Sequence, residues 1–238
     1  VMDHQEKKEL QRKFINPELC DITEALVYTE PYNDELKRNH VFPPIAEFVK
    51  ETLYDDQELH CEVAKLKMDF MTRAQSLIHG DLHTGSVFIN EESTKVFDPE
   101  FCFYGPMGYD IGNVIANMIF AWANGDAAGA EEFCNWVESV LVDVVNMTKE
   151  KMEKYYEEHV TDTMCKNELY RKYYMATIIE DTSAVTGLEL IRRIVGMANV
   201  KDITSIEDEA KRARAEKICI TAAVDFIKNR GDKKCGKC

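Results

Sequence analysis

The chain has 238 residues, of which 45% are hydrophobic and 30% are charged, as is ordinary for a soluble globular protein with a sizeable core. Its 43 acidic side chains exceed its 29 lysines and arginines, and the net charge of -14 disfavours nucleic acid and anionic lipid as partners. A chain of this length and composition fits one large or two small domains. No apolar stretch approaches the roughly 18 residues of a membrane-spanning helix, so we expect no membrane partner.

The eight cysteines are scattered along the chain, which indicates reduced thiols in a cytoplasmic protein rather than a disulfide framework. The last pair, Cys235 and Cys238, has the spacing of metal ligands or of a redox pair, but it lies in a polar terminus without a second pair nearby. We expect residues 231–238 to be a flexible tail. The charged first residues predict no signal peptide.

The first half of the chain begins with short helical pieces that are separated by prolines. Asn16 is predicted to cap a helix that starts at Pro17. Apolar side chains then recur at helical spacing over residues 57–76, which predicts a long amphipathic helix. Short runs rich in Val, Ile and Phe follow, and they predict a small hairpin over residues 77–98.

The second half is predicted to be helical. Asp110 is expected to cap a helix over residues 111–125 that is apolar on nearly every face and therefore buried. We predict three further helices, at residues 127–159, 162–198 and 207–229. The middle one is expected to break near Thr186-Gly187, where a β-branched residue adjoins a glycine. The fold class is therefore mainly α with one small embedded β-hairpin.

The segment HGDLHTGSVFINEESTKVFDPEF, residues 79–101, places carboxylates at both ends of the predicted hairpin. Asp81 precedes its first strand and Asp98 follows its second, so we expect the two side chains to converge on one cleft. Phosphoryl transfer uses such a pair, because one carboxylate orients the attacking hydroxyl while another holds Mg²⁺. The spacing thus favours a phosphotransferase.

Two other interpretations of this segment stay open on the residues alone. His79, Asp81 and His83 could bind a hydrolytic zinc or iron ion, because alternate residues of an extended strand share a face. Such a site would need more ligands, and the remaining four histidines do not lie in a similarly dense segment. The segment could also be only a polar connection between strands.

The motif HGDLH, the strand after it and the triplet DPE resemble the protein-kinase-like small-molecule phosphotransferases, a family that includes aminoglycoside and choline kinases. More narrowly, FINPELCDITEALVYTEPY, LIHGDLHTGSVF, KVFDPEFCFYGPMGYDIGNVIAN and GLELIRRIVGMANV are similar to the 5-methylthioribose kinases. The resemblance runs from Phe14 to Arg230. It implies that residues 1–230 are the C-terminal, substrate-binding lobe of a kinase-like α+β fold. It also implies ATP-dependent phosphorylation of the 1-hydroxyl of 5-methylthioribose, giving 5-methylthioribose 1-phosphate in methionine salvage.

The resemblance assigns roles to the acidic residues. Asp81 is implied to be the catalytic aspartate, which positions the 1-hydroxyl of the sugar. Asp98 is implied to bind Mg²⁺ at the phosphates of ATP. Glu100 replaces the glycine of protein kinases and would complete the metal coordination, because Ser86 stands where most members have a metal-binding asparagine. The number of metal ions is left open by this departure.

The remaining motif residues are expected to support the loop or bind the sugar. The resemblance implies that His79, Ser86 and Asp110 hold the catalytic loop. His83 could have a structural role or could bind the substrate. Arg192 and Arg193 lie in an otherwise apolar helix, so at least one guanidinium is expected in a cleft. The resemblance implies that this pair lines the sugar site.

Residues 1–79 contain no glycine and no strand-rich run, whereas the kinase-like fold covers ATP with a Gly-rich loop and a strand lysine. We therefore expect the N-terminal lobe to lie outside this chain, and the chain alone to transfer phosphate poorly. The resemblance also suggests a homodimer. Two alternatives remain: a kinase of the same fold with an aminoglycoside, choline or homoserine acceptor, or a non-catalytic helical module.

Overall fold

The structure, a computed structural model, describes residues 4–232 and is mainly helical over that range. Its α-helices are α1 (His4–Lys13), α2 (Pro17–Tyr28), α3 (Ala46–Val49), α4 (Gln57–Thr72), α5 (Gly108–Ala128), α6 (Glu131–His159), α7 (Glu168–Val195), α8 (Lys201–Thr204) and α9 (Glu209–Lys228). Its strands are β1 (Ser76–Ile78), β2 (Val87–Ile89), β3 (Thr94–Val96) and β4 (Phe103–Gly105). The predicted mainly helical class with a small β component is confirmed.

The strands form two separate antiparallel pairs, β1 with β4 and β2 with β3. The hairpin is therefore shorter than predicted, because only β2 and β3 join through a local turn. The run at the start of the predicted hairpin instead pairs Ile78 with Phe103, so residues 79–102 lie between the two paired strands. Hydrophobic patterning identifies a strand but not its distant partner, which explains the error.

Helix α7 lies at the centre of the fold, packed between α5 and α9. Nearly all of its side chains from Ile178 to Val195 are buried. The predicted break at Thr186-Gly187 is absent. Thr186 Oγ1 donates to the Thr182 carbonyl oxygen at 2.8 Å, and a β-carbon on Gly187 would lie only 2.5 Å from the Ala223 carbonyl oxygen. The glycine therefore permits close packing of α9 rather than a bend.

Two predicted helix caps also need correction. Asn16 does precede Pro17 at the start of α2, but its side chain makes no capping hydrogen bond. Asp110 lies inside α5, which begins two residues earlier at Gly108. Both side chains bind other segments of the chain, as described below, and distant hydrogen bonds of this kind leave no local sequence pattern.

The remaining bulk predictions concern thiols and membranes. The six cysteines within residues 4–232 are free, as predicted. None of the helices in that range combines the length and the apolar character that crossing a bilayer requires. The pair Cys235 and Cys238, and most of the predicted tail 231–238, lie outside the described residues.

Replacing Gly187 with alanine is expected to lower the free energy of unfolding by about 1–3 kcal/mol, because the new methyl group overpacks the contact between α7 and α9. Gly231→Ala is the matched control, since a β-carbon there would meet no atom within 4 Å. Urea denaturation of both variants measures the difference. Equal stability of the two would contradict the packing role of Gly187.

Candidate active site

The loop that joins β1 to β2 is held by a carboxylate of α5. Asp110 Oδ2 accepts a hydrogen bond from the His79 amide at 2.6 Å, and its Oδ1 accepts one from the Gly80 amide at 2.9 Å. Burial raises the pKa of Asp110 above its ordinary value, although these backbone hydrogen bonds oppose the rise. The start of the loop is thus fixed to the first turn of a buried helix.

Gly80 allows this loop to touch the segment that carries Asp98. Its φ is +86°, and a β-carbon would lie 2.3 Å from the Phe101 carbonyl oxygen. His79 joins the same two segments, since its Nε2 donates to the Phe97 carbonyl oxygen at 2.8 Å. With Nε2 protonated, the His79 Nδ1 is left to accept from the Asp81 amide at 3.4 Å.

Asp81 faces two arginines from the C-terminal turn of α7. Arg192 Nη2 lies 2.7 Å from Asp81 Oδ1, and Arg193 Nη2 lies 3.9 Å from the same oxygen. Both guanidinium groups also bind Glu189, one helical turn earlier. The four side chains therefore form a cluster of two carboxylates and two guanidinium groups.

The charges of this cluster stabilise one another. Glu189 is only 1% exposed, and burial alone would raise its pKa, but Arg192 and Arg193 outweigh that effect and hold the pKa below its usual value. Burial likewise lowers the pKa of Arg192, yet Glu189 and Asp81 outweigh it and raise the pKa overall. Glu189 and Arg192 thus stay ionised at neutral pH.

His83 and Ser86 lie on the other side of the aspartate. His83 Nε2 is 3.9 Å from Asp81 Oδ2 and 3.3 Å from Ser86 Oγ. Ser86 is buried, and its amide donates to the His83 carbonyl oxygen at 2.9 Å. The two oxygens of Asp81 therefore have different surroundings: Oδ1 contacts arginine, whereas Oδ2 faces the more distant imidazole.

Asp98 and Glu100 are exposed on the segment after β3. Asp98 has φ of +66°, which is uncommon for a residue with a side chain. The convergence of Asp81 and Asp98 on one cleft stays a prediction, and residues 4–232 hold no group of three or more His, Cys, Asp or Glu side chains that could hold a metal ion. The same finding gives no support to a hydrolytic metal site at His79, Asp81 and His83.

Two residues of the site were missed in the sequence. Asn16 Nδ2 donates to the carbonyl oxygens of Glu100 at 2.8 Å and Cys102 at 3.2 Å, which ties α2 to the Asp98 segment. No sequence signal identifies such a long-range contact. Glu189 could have been found, because a carboxylate in an apolar helix, three and four positions before two arginines, is expected to pair with them.

Comparison of the sequence with known proteins shows similarity to phosphotransferases. A model of the phosphotransferase enzyme family matches residues 11–139. Methylthioribose kinase 1 of Oryza sativa subsp. japonica is 36% identical over 247 residues, which cover 96% of this chain and 56% of the relative. The methylthioribose kinase of Geobacillus sp. (strain WCH70) is 37% identical over 229 residues, which cover 96% and 56%. That of Erwinia tasmaniensis is 39% identical over 228 residues, which cover 94% and 56%.

The chain spans about half the length of the curated relatives it matches. The family model covers the loop from His79 to Ser86, the Asp98 segment and all of α5, but it ends within α6, before α7. The relatives, in contrast, match nearly the whole chain, α7 included. The similarity to methylthioribose kinases therefore extends to the part of the site that supplies the arginines.

Replacing Asp110 with alanine is expected to lower the free energy of unfolding by about 1–3 kcal/mol or more, because the amides of His79 and Gly80 lose their acceptor. Exchange of the Gly80 amide hydrogen should accelerate in the same variant. Asp143→Ala, at an exposed position of α6, is the control and should change neither quantity. Unaltered exchange at Gly80 in Asp110→Ala would contradict the anchoring role.

Proposed function

This chain belongs to the phosphotransferase enzyme family, and from that membership we propose that it forms the acceptor-binding part of a methylthioribose kinase. The proposed reaction is transfer of the γ-phosphate of ATP to the 1-hydroxyl of 5-methylthioribose, which gives 5-methylthioribose 1-phosphate in methionine salvage. Support comes from relatives with this name, which match at least 93% of the chain.

The observation that carries the proposal is the contact between Arg192 and Asp81. A guanidinium at 2.7 Å fixes Oδ1 of the aspartate, so the carboxylate has one orientation. Oδ2 is then free to accept the hydrogen bond of the acceptor hydroxyl. Because phosphoryl transfer passes through a loose transition state, orienting the hydroxyl matters more than removing its proton early. Asp81 is thus proposed as the catalytic residue.

The charges around Asp81 favour an uncharged acceptor. Arg192 and Arg193 would repel the cation of choline or an aminoglycoside, whereas their N–H groups can donate to sugar hydroxyls. The same N–H groups suit the phosphate of the product. His83, close to Oδ2, is proposed to line the acceptor site with them. A sugar acceptor therefore fits this site better than the cationic acceptors of related kinases.

Asp98 and Glu100 are proposed to bind Mg²⁺ with ATP. Both are exposed carboxylates, and Mg²⁺ is commonly held by one or two carboxylates together with substrate phosphates and water, so the donors suit it without a larger protein cluster. When bound, Mg²⁺ would neutralise charge on the transferred phosphate. The left-handed backbone of Asp98 supports a functional role, since strained residues are concentrated at such sites. Asn16, Gly80 and His79 hold this segment against the catalytic loop.

Several further features belong to the same proposal. We propose that residues 1–230 form the C-terminal lobe of a kinase-like fold. The Gly-rich lobe that covers ATP is proposed to lie outside residues 1–238. The absence of glycine before Gly80 and the greater length of the relatives support this assignment. We also propose that the protein is a homodimer, as the resemblance suggests. A cytoplasmic location is proposed from the cysteine pattern.

In a protein that includes the proposed ATP-covering lobe, Asp81→Asn is expected to lower kcat for methylthioribose by at least about 100-fold, because a neutral amide loses the ion pair with Arg192 that orients the side chain and cannot accept the proton of the hydroxyl. The matched control is Asp55→Asn, whose side chain is 61% exposed and pairs only loosely with Lys50. A coupled assay of ADP release measures both. An Asp81→Asn variant that keeps most of its turnover would remove Asp81 from the mechanism.

A further inference from the structure

We propose that Glu189 is a positioning residue of the acceptor site, which holds Arg192 and Arg193 side by side and limits their hold on Asp81. The inference rests on the proposed function, because the acceptor hydroxyl is what Asp81 must be left free to bind. Glu189 itself is buried, so its proposed role is to act through the two arginines.

One carboxylate serves both arginines. Glu189 Oε2 accepts from Arg192 Nε, while Oε1 accepts from Arg193 Nε at 2.9 Å and from Arg192 Nη2 at 3.2 Å. The side chain is 1% exposed, so water does not compete for these hydrogen bonds. Both oxygens are therefore used, and each guanidinium is fixed by its Nε.

The helix alone would not bring the two arginines together. Neighbouring residues of an α-helix project about 100° apart, so two adjacent guanidinium groups tend to diverge. A carboxylate three positions before one and four before the other lies on the face between them. Glu189 thus turns both guanidinium groups toward the same side of α7, where Asp81 lies.

The charge of Glu189 also matters for Asp81. Arg192 already contacts Asp81 Oδ1 at 2.7 Å, whereas Arg193 remains at 3.9 Å because Glu189 is the nearer partner. Without the Glu189 carboxylate, Arg192 and Arg193 would have Asp81 as their remaining acidic partner in this cluster. Both arginines would then bind it more tightly and compete with the acceptor hydroxyl for its oxygens.

A second buried glutamate provides a matched control. Glu216 of α9 is also 1% exposed and accepts from Arg212 Nε, four residues earlier, at 2.8 Å. The Arg212 guanidinium lies 4.1 Å from the centre of the Phe42 ring, so this pair contacts a different part of the fold. Burial raises the pKa of Glu216, with Arg212 opposing the rise, whereas the pKa of Glu189 is lowered, so the two charges are not equivalent. Glu216→Gln still changes a buried glutamate that pairs with an arginine, and it leaves the partners of Asp81 unchanged.

The test compares Glu189→Gln with Glu216→Gln in the full-length protein. We expect Glu189→Gln to raise KM for methylthioribose at least about tenfold, equivalent to about 1.4 kcal/mol, while KM for ATP changes less than about twofold. Glu216→Gln should leave both KM values unchanged, although its melting temperature falls. Equal KM values for methylthioribose in the two variants would overturn the inference and leave Glu189 a purely structural residue.

Glu189→Asp covers the case in which Glu189→Gln does not fold, because it keeps the charge and shortens the reach. Its KM for methylthioribose should lie between those of the wild type and Glu189→Gln. If Glu189→Gln fails to fold, a Glu189→Asp variant with wild-type KM values overturns the inference. No turnover of methylthioribose by the folded wild-type protein would instead overturn the proposed function, and this inference with it.

Discussion

The ion pair between Arg192 and Asp81 connects the loop between β1 and β2 to the buried central helix, and the geometry of the candidate site depends on it. A charged side chain in such surroundings is costly unless it is paired and hydrogen-bonded. Here Arg192 is paired with both Asp81 and Glu189, so the burial of α7 and the presence of its arginines are compatible. The same contacts fix the direction of the Asp81 carboxylate.

A second connection fixes the start of the loop, immediately before Asp81. Asp110 binds the amides of His79 and Gly80, and its helix α5 packs tightly on α7. Gly112 allows this contact, since a β-carbon there would lie 2.8 Å from the Thr182 carbonyl oxygen. The loop is thus attached to two helices that are themselves in close contact. Its position follows from packing in the core, which is the rigid support that catalysis by orientation needs.

The sequence predicted what is local and missed what is distant. Helical periodicity located the long helices to within about six residues, and the motif around Asp81 indicated the phosphotransferase family. The partner of β1, the continuity of α7 at Gly187 and the contacts of Asn16 all depend on segments far away in the chain. The pairing of Glu189 with two arginines is a local contact that was nevertheless missed. Helical spacing alone is enough to predict it.

Arg192 and Arg193 are proposed to form an acceptor site for an uncharged sugar. The direct test is to titrate 5-methylthioribose into protein with ¹⁵N-labelled arginine and to follow the Nε–H signals, with Arg212 as an internal reference. We expect the signals of Arg192 and Arg193 to shift and saturate together, Arg212 not to respond, and choline to leave all three unchanged. Unchanged Arg192 and Arg193 signals with methylthioribose, or equal shifts with choline, would contradict this proposal.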